Sequence, residues 1–410
     1  MKLSEEQEII AETIDEGQNV FITGAAGTGK SFLIRHLITK HAKQIDVTAS
    51  TGIAAVNIGG ITLHSWAGLG LGDKSADEII DGILLKKGRA YKSILACQKL
   101  IIDEISMIDG KLLDKINIIF KEIRGTNLAF GGIQMILSGD FFQLPPVTRS
   151  NEERQFAFEC SSWENANINI CEMQKVFRQS DESFIHLLGN LRKGLCTDES
   201  IKILTQVKDT NILLATIKPT RLFSHNADAD QTNLSELKKL EGQEYIYLAE
   251  DTGEKVFIEM LRKNCIAPEE LRLKKGSQVM LLHNLSQAEG IVNGSIGIVE
   301  NFIDGMPFVK FHNGKSKLIS RHTWEINSKE DELATRLQIP LRLAWAITIH
   351  KSQGMTLDKV ECDLTKVFEY GQAYVALSRA KSLEGLFVKG LNKRSVKAHP
   401  RVKSFFEALQ

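Results

Sequence analysis

The sequence predicts an α/β protein of two domains, with a smaller β-rich insertion in the second domain. In two regions of the chain, near-continuous apolar segments alternate with helical stretches, which is typical of parallel sheets covered by helices on both faces. Within the second region, short apolar segments are separated by Asn-Gly and Asp-Gly pairs, which favour hairpins. The length of 410 residues suits two or three domains at roughly 100–200 residues each.

The first domain begins with a helix and continues through four predicted strands. Ser4 and Gln7 have the S-x-x-Q form of a capping box, which predicts a helix start at this point. The first strand is followed by a Gly-rich turn and by a helix that runs through about Lys40. Apolar composition predicts the strands at 20–23, 47–49, 100–102 and 135–137. We therefore place the first domain at residues 1–173.

The second domain repeats this alternation and is interrupted by the insertion. A helix is predicted at 184–191 and a strand at 220–223. Further short strands are predicted at 279–282, 296–299, 308–311 and 317–319, with turns at Asn293-Gly294, Asp304-Gly305 and Asn313-Gly314. We place the second domain at 174–295 and 339–410, and the β-rich insertion at 296–338.

Charge and cysteine content exclude several classes of protein. The chain has 51 cations and 51 anions, which argues against a protein that coats nucleic acid by bulk charge but leaves a local basic groove open. The run from Lys389 to Lys403 has six Lys/Arg and no acid, a pattern that more often forms a solvated face. The six cysteines include no C-x-x-C pair, so a zinc ribbon is not supported. We expect an intracellular protein in a bacterial-type cytoplasm, without a membrane span.

A phosphate-binding loop is the most specific single motif. GAAGTGKS at 24–31 fits G-x-x-x-x-G-K-[ST] and lies between a predicted strand and a predicted helix. Backbone N–H groups of such a loop surround phosphate oxygens at a helix N-terminus. The expected ATP-binding residues are Gly24, Ala25, Ala26, Gly27, Thr28, Gly29, Lys30 and Ser31. Lys30 would contact the β- and γ-phosphates, and the Ser31 hydroxyl would bind Mg²⁺.

Two further motifs carry candidate catalytic residues. KLIIDEIS at 99–106 is an apolar strand that ends in paired acids. Asp103 is a candidate Mg²⁺ ligand, and Glu104 is a candidate base for the attacking water. LSGDFFQLPPV at 137–147 provides Gln143, whose neutral amide can hydrogen-bond both phosphate and water. Taken alone, this last segment is better explained as a Pro-terminated loop.

The order of motifs closely resembles that of the PIF-type DNA helicases of superfamily 1B, which are relatives of the RecD-like enzymes. Beside the segments already named, the resemblance is carried by TASTGIAA (48–55), GGITLHSWAG (59–68), VFRQ (176–179), VNGSIG (292–297), AITIHKSQGMTLD (346–358) and YVALSRA (374–380). DKINIIFKEIR (114–124) matches a family signature more loosely. The resemblance runs from Ser4 to about Gly390. It implies two RecA-like P-loop NTPase domains with an SH3-like insertion in the second.

The resemblance also implies roles at the nucleotide. Gln7 would contact the adenine, as in the family's Q motif. Arg178 and Arg379 would act as arginine fingers, and Gly354 would lie near the nucleotide. A fixed guanidinium neutralises charge that develops on the γ-phosphate, and this can change the rate by orders of magnitude.

The remaining motifs match those that line the single-strand path in the family. The implied DNA-binding residues are Thr51, Gly52, His64, Trp66, Thr348, His350, Lys351 and Ser352, with a wedge loop at about 59–75. Hydroxyl groups and backbone amides suit phosphate contacts that carry no sequence information. His64 and Trp66 could stack against bases, although a lone Trp66 is as often a core residue.

The sequence therefore predicts an ATP- and Mg²⁺-dependent DNA helicase with 5′→3′ polarity, the polarity resting on the resemblance alone. The expected partners are single-stranded DNA and 5′-tailed duplex, with G-quadruplex DNA as a further candidate and a monomer as the expected state in solution. Two alternatives stay open. One is a RecD-like helicase subunit of a nuclease complex, and the other is a DNA-stimulated P-loop ATPase that does not unwind.

Overall fold

The computed structural model describes residues 2–70, 74–146, 153–206, 217–223, 225–286, 288–327, 332–365, 367 and 369–409. Residues 71–73 of the predicted wedge loop and Val147 of the LSGDFFQLPPV motif lie outside this part of the chain. The chain forms two compact units. The first comprises Met1–Phe177, Gly253–Asn264 and Glu325–Ala334, and the second comprises Arg178–Thr252, Cys265–Trp324 and Thr335–Gln410. The main division thus falls a few residues after the predicted 173, and the sequence does not predict the two short additions to the first unit.

The elements are as follows, in chain order. Over the described residues the helices are α1 Glu5–Asp15, α2 Lys30–Lys40, α3 Gly52–Asn57, α4 Leu63–Trp66, α5 Ala76–Lys86, α6 Arg89–Ala96, α7 Gly110–Arg124, α8 Ser161–Asn165, α9 Glu182–Arg192, α10 Asp198–Gln206, α11 Asn226–Lys238, α12 Lys255–Asn264, α13 Gln372–Leu377 and α14 Pro400–Glu407. The strands over the same residues are β1 Val20–Gly24, β2 Ile45–Ala49, β3 Ile61–Thr62, β4 Lys99–Asp103, β5 Gln134–Ser138, β6 Asn169–Met173, β7 Thr220–Phe223, β8 Tyr245–Leu248, β9 Glu250–Gly253, β10 Glu270–Leu273, β11 Gln278–Leu281, β12 Ile296–Ile303, β13 Met306–Phe311, β14 Ser316–Leu318, β15 His322–Asn327, β16 Glu332–Gln338, β17 Leu341–Leu343, β18 Ala346–Thr348, β19 Val360–Asp363 and β20 Leu386–Gly390.

The first unit is built on a parallel sheet of order β3-β2-β4-β5-β1-β6. The four predicted strands are confirmed as β1, β2, β4 and β5. All five residues of β1 are buried, as expected for a strand covered on both faces. Ile22, Leu33 and Ile136 are fully buried in one core cluster, and each such side chain stabilises the fold by about 1.5–3 kcal/mol. The predicted capping box at Ser4 and Gln7 is present at the start of α1.

The topology of this sheet brings distant motifs to one edge. β1 ends at Gly24, β4 at Asp103 and β5 at Ser138, and these strands run in the same direction. The carboxyl ends of parallel strands form the edge at which ligands bind in open α/β sheets. The first unit therefore gathers the phosphate-binding loop, the paired acids and the Gln143 segment at that edge.

The second unit contains a smaller parallel sheet and an antiparallel sheet. The parallel sheet has the order β18-β7-β19-β20, which confirms the predicted strand at 220–223. The antiparallel sheet has the order β14-β13-β12-β11-β17. Its hairpin between β12 and β13 turns at Asp304-Gly305, where both residues have positive φ (49° and 76°), as a two-residue hairpin turn requires. The turn at Asn313-Gly314 likewise joins β13 to β14.

The antiparallel sheet extends beyond the insertion predicted at 296–338. Its strands β11 and β17 pair with each other through Val279 and Leu343, and both lie outside that range. The predicted α/β class with a β-rich part in the second domain is confirmed. Among the helices that the structure describes, none has the length and apolar character needed to cross a membrane.

Candidate functional site

The phosphate-binding loop has a backbone that glycine alone adopts without strain. Gly24, Gly27 and Gly29 have φ values of 143°, 90° and 91°. A Cβ atom at Gly24 would lie 2.5 Å from the carbonyl oxygen of Met173, so this position has no room for a side chain. Helix α2 starts directly after the loop, which directs the free N–H groups of its first turn towards a bound anion.

Lys30 hydrogen-bonds to the backbone of the phosphate-binding loop. Its Nζ donates to the carbonyl oxygens of Gly24 at 2.8 Å and Ala25 at 3.0 Å. Thr28 closes the turn by donating to the oxygen of Ala25 at 3.0 Å, while Ser31 is exposed at the start of α2. The ammonium group is therefore held at the mouth of the loop, where phosphate oxygens would replace its carbonyl partners.

The paired acids at the end of β4 occupy different environments. Asp103 is 8% exposed, and burial raises the pKa of its carboxyl group, while the charge of nearby Lys30 acts in the opposite direction. Glu104 is partly exposed and has a left-handed backbone with φ 54° and ψ 45°, which is costly for a residue other than glycine. Its backbone N–H donates to Oδ1 of Asp103 at 3.0 Å. The two acids therefore differ in burial and in backbone conformation, which suits separate metal-binding and base roles.

The residues of the first unit fit a bound Mg²⁺. Mg²⁺ usually keeps several waters and takes one or two protein ligands together with substrate phosphates. Asp103 and Ser31 offer one carboxylate and one hydroxyl, and Lys30 acts on Asp103 as a neighbouring charge. Across the described chain, no group of three or more His, Cys, Asp or Glu side chains could hold a metal ion by itself. The donor set therefore suits a cation held partly by nucleotide.

Gln143 is fixed by an acid that the sequence did not single out. The side chain is 6% exposed, and its Nε2 donates to Oδ2 of Asp140 at 3.3 Å. Asp140 is fully buried, and its Oδ1 also accepts the backbone N–H of Phe142 at 3.2 Å. The available signal was an acid two residues after an apolar strand and directly before two phenylalanines. Asp140 orients the Gln143 amide, so Gln143 is held in a defined position beyond β5.

Gln7 and Phe177 both lie beside the phosphate-binding loop. Gln7 is 2% exposed, and its Nε2 donates to the carbonyl oxygen of Gly29 at 3.5 Å. The N–H of Phe177 donates to the carbonyl oxygen of Gly27 at 2.8 Å, and its ring remains 51% exposed. Phe177 lies within the VFRQ motif but is not among the residues predicted for the site. Its exposed aromatic face next to the loop provides an apolar surface of the kind that a purine stacks on.

The two candidate arginine fingers lie close together in the second unit. Arg178 donates through Nε to Thr356 Oγ1 at 2.9 Å, and through its Nη atoms to the carbonyl oxygens of Ser378 at 3.1 Å and Gly354 at 3.3 Å. Arg379 is 1% exposed and donates to the carbonyl oxygen of Val375 at 2.8 Å. Burial, and then the charge of Arg379, lowers the pKa of Arg178. Two cations that repel each other in this way would be stabilised by an anion.

The first-unit residues predicted to contact DNA differ in accessibility. Thr51 caps helix α3 by accepting the N–H of Ala54 at 3.3 Å. Gly52 is buried, and a Cβ atom there would lie 2.0 Å from the side chain of Asn264 on α12. His64 is half-buried, and burial followed by the charge of Lys115 lowers the pKa of its imidazole.

Trp66 requires a correction. It is 5% exposed and packs edge-to-face on Phe120, with ring centroids 5.5 Å apart. Because α4 directs this ring into the core of the first unit, Trp66 offers no face to a base. The core interpretation of Trp66 is the one that the structure supports.

The TIHKS segment of the second unit separates into exposed and buried side chains. His350 is exposed and Lys351 is half-buried. Thr348 is 3% exposed and accepts the N–H of Lys351 at 3.3 Å, while Ser352 is fully buried and donates to the carbonyl oxygen of Ile349 at 2.8 Å. The predicted phosphate contacts by the Thr348 and Ser352 hydroxyls are therefore corrected. These hydroxyls hold the turn that presents His350 and Lys351.

The basic run from Lys389 to Lys403 is partly neutralised. Lys389 pairs with Glu361 at 2.8 Å and Lys393 pairs with Asp198 at 2.8 Å. Both lysines are more than half exposed, so these pairs contribute little to stability. The pairing supports the interpretation of this run as a solvated face.

The chain matches two family models and, over its own whole length, curated relatives that are longer. The model described as PIF1-like helicase matches residues 2–202, and the model described as DNA helicase Pif1, 2B domain matches residues 256–302. ATP-dependent DNA helicase PIF1 of Xenopus laevis is 42% identical over 414 residues, which cover 100% of this chain and 65% of that protein. The chain thus spans slightly less than two thirds of the length of this relative.

Solved structures resemble the chain over its whole length. The crystal structure of Bacteroides sp Pif1 in complex with ADP-AlF4 is 33% identical, with a TM-score of 0.85 and coverage of 100% of this chain and 97% of that chain. Bacteroides Pif1 bound to ssDNA has the same identity and coverage, with a TM-score of 0.65. These relatives bind a nucleotide analogue and single-stranded DNA respectively.

Proposed function

The chain belongs to the PIF1-like helicase family, and from this premise we propose that it is an ATP-dependent DNA helicase that moves 5′→3′ along single-stranded DNA and unwinds duplex. One observation carries the proposal. The carboxyl edge of the first sheet gathers Lys30, Asp103, Glu104 and Gln143 from three different parts of the chain. This is the set of groups needed to bind a triphosphate and to direct water at it.

Each of these residues has a defined task in hydrolysis. Lys30 would exchange its two carbonyl partners for β- and γ-phosphate oxygens. Asp103 and Ser31 would hold Mg²⁺, which neutralises charge on the phosphates when bound. Glu104 would accept a proton from the attacking water, and the Gln143 amide would hydrogen-bond water and phosphate. Arg178 and Arg379 are proposed as arginine fingers, which the clustering of the two guanidinium groups supports.

The DNA-binding part of the proposal rests on the exposed or half-buried members of the predicted set. Thr51, His64, His350 and Lys351 are accessible at least in part. The solved relative bound to ssDNA supports single strands as the substrate. We propose 5′-tailed duplex and G-quadruplex DNA as substrates for unwinding, and a monomer as the solution state. All six cysteines are free thiols, which supports the expected reducing, intracellular compartment.

Strand displacement on three substrates tests the proposal. The purified chain is given ATP and Mg²⁺ with 5′-tailed duplex, 3′-tailed duplex or a 5′-tailed G-quadruplex, and ATP hydrolysis is measured with and without single-stranded DNA. We expect unwinding of the 5′-tailed substrates only, together with DNA-stimulated hydrolysis. Lys30→Ala serves as the matched control and should abolish both activities.

The remaining outcomes separate the alternatives. DNA-stimulated hydrolysis without displacement of any strand would favour an ATPase that does not unwind. Unwinding that appears only when a nuclease partner is added would favour a subunit of a nuclease complex. Displacement of 3′-tailed duplex alone would overturn the proposed polarity.

A further inference from the structure

A cationic cluster lies in the second unit, and one of its members has no assigned role. Strand β17 places Leu341 and Leu343 in an apolar core cluster. Because side chains alternate along a strand, Arg342 projects from the opposite face. It lies opposite Met280 of β11 in the sheet. Apolar packing therefore does not explain why an arginine stands at this position.

The guanidinium of Arg342 has no partner among the described residues. Its Nε atom is buried and makes no hydrogen bond within that part of the chain. Burial lowers the pKa of Arg342, and Asp230 is the charged group that acts in the opposite direction. Asp230 is exposed on α11 and forms no ion pair with Arg342 within the described residues. A buried donor left without a partner destabilises the protein, and the effect is larger when the group is charged.

Lys351 brings a second cation to the same place. It follows β18 by three residues, and the Thr348 side chain fixes its backbone N–H at 3.3 Å. Burial, and then the charge of Arg342, lowers the pKa of Lys351, and the charge of Asp230 acts in the opposite direction. Arg342 and Lys351 are thus two half-buried cations that interact with one exposed carboxylate, that of Asp230. Together the three side chains carry one net positive charge.

We propose that Arg342 and Lys351 together bind one phosphodiester group of the single strand, so that Arg342 is a DNA-binding residue. This inference rests on the proposed function and adds a specific phosphate subsite to it. The planar guanidinium offers donors in a fork that matches two phosphate oxygens, and the ammonium adds a point charge beside it. A phosphate also satisfies the Nε donor that the protein leaves unpaired.

The salt dependence of binding distinguishes a phosphate contact from a structural role. Each phosphate contact on a single strand contributes about −0.7 to the slope of log K against log salt concentration. We expect Arg342→Gln to make this slope shallower by about 0.7. The loss of affinity for a labelled oligo-dT, relative to wild type, should therefore be about five-fold larger at 0.1 M salt than at 1 M. Fluorescence anisotropy over a salt series measures both quantities.

Two variants serve as controls. Arg221→Gln removes the same charge from β7, in the parallel sheet of the same unit, where the exposed side chain already pairs with Glu361 at 3.3 Å. This variant should leave the slope and the affinity unchanged. Arg342→Lys keeps the charge, so it should retain the slope while losing part of the affinity with the fork geometry. Urea unfolding of each variant shows whether the fold is intact.

Each result of these measurements either supports or contradicts the proposed phosphate site. An unchanged slope in folded Arg342→Gln overturns the inference, as does an equal change in Arg221→Gln. If inorganic phosphate competes with the oligonucleotide equally in wild type and Arg342→Gln, the cluster is not a phosphate site. Failure of the wild type to bind oligo-dT at all would instead contradict the proposed function. Asp230→Asn should strengthen DNA binding, because it removes a carboxylate that would compete with the phosphate for the two cations. If the charge of Asp230 only stabilised the fold, the variant would instead lose stability and bind DNA no more tightly.

Discussion

The backbone N–H of Glu104 donates a 3.0 Å hydrogen bond to Oδ1 of Asp103, so the two acids at the end of β4 constrain each other. The two side chains differ in burial, since Asp103 is buried and Glu104 is partly exposed. The geometry separates the residue proposed to bind the cation from the residue proposed to accept a proton.

Glu104→Gln should retain nucleotide binding and lose hydrolysis. The amide preserves the size of the side chain but cannot accept a proton from water, and general-base catalysis contributes about 10²–10⁴-fold. Binding of a fluorescent ATP analogue should stay within a few-fold of wild type, while single-turnover hydrolysis falls by about that factor. Hydrolysis close to the wild-type rate would assign the base to another residue.

Backbone strain at Glu104 predicts a stability difference between two inactive variants. With φ 54° this residue occupies the left-handed region, which costs a non-glycine residue about 1 kcal/mol. Glu104→Gly should therefore unfold with a free energy about 1 kcal/mol higher than Glu104→Ala, although both lose hydrolysis. Urea unfolding monitored by circular dichroism gives the comparison. Equal stabilities would show that the turn is not strained at this residue.

Arg379→Ala should affect both stability and turnover. The guanidinium is buried and donates to the carbonyl oxygens of Val375 and Met355 and to Ser378 Oγ, so truncation leaves buried acceptors unsatisfied at a cost of about 1–3 kcal/mol. Loss of an arginine finger lowers kcat by about 10³ or more. ATPase measured at low temperature, on protein shown to be folded, separates the two effects.

Arg379→Lys is the matched control for that variant because it keeps the charge and loses the fork. Arg379→Lys should be more stable to unfolding than Arg379→Ala, and it should recover only part of the turnover that Arg379→Ala loses. Destabilised protein whose folded fraction hydrolyses ATP normally would leave Arg379 with a structural role alone.

The affinity for single-stranded DNA should not change between pH 8 and 7 and should rise as the pH falls further. Desolvation of the imidazole and then the charge of His225 lower the pKa of His350, and burial and then the charge of Lys115 lower the pKa of His64. Both imidazoles are therefore neutral at pH 7, and each gains positive charge only below the usual histidine range near pH 6.5. Added positive charge strengthens binding to phosphates.

The double variant His64→Gln, His350→Gln should lose most of this increase on the acid side, as measured by anisotropy from pH 8 to 5. His186→Gln, which changes an exposed histidine of α9, is the matched control and should keep it. A rise of affinity already between pH 8 and 7 would contradict the direction of both shifts.

The sequence predicted the elements with strong local patterns and missed those that depend on packing between distant segments. The apolar strands and the Asp304-Gly305 hairpin follow from local chemistry, and the structure confirms them. Pairing of β11 with β17 joins segments far apart in the chain, so no local pattern revealed that the antiparallel sheet extends beyond 296–338. The same holds for α12, because the segment Gly253–Asn264 that contains it belongs to the first unit.

Among the site residues, spacing identified the type of group but not its accessibility. Trp66, Thr348 and Ser352 match family motifs, yet the structure buries all three, because burial depends on neighbours that the motif does not contain. Asp140 and Phe177 were missed for a related reason. Their contacts with Gln143 and with the carbonyl oxygen of Gly27 are set by the fold, and neither residue type is distinctive by itself.

The order of strands in the first sheet also sets when the nucleotide site can first exist during synthesis. Val20 of β1, the strand that carries the phosphate-binding loop, pairs with Ile136 of β5 on one side and with Asn169 of β6 on the other. Both neighbours leave the ribosome long after β1, and closing such long loops is slow and exposes apolar strands meanwhile. A nascent chain that has not yet released β6 therefore has no complete sheet edge for ATP, and the apolar residues of β1 stay unpaired until β5 and β6 have been made.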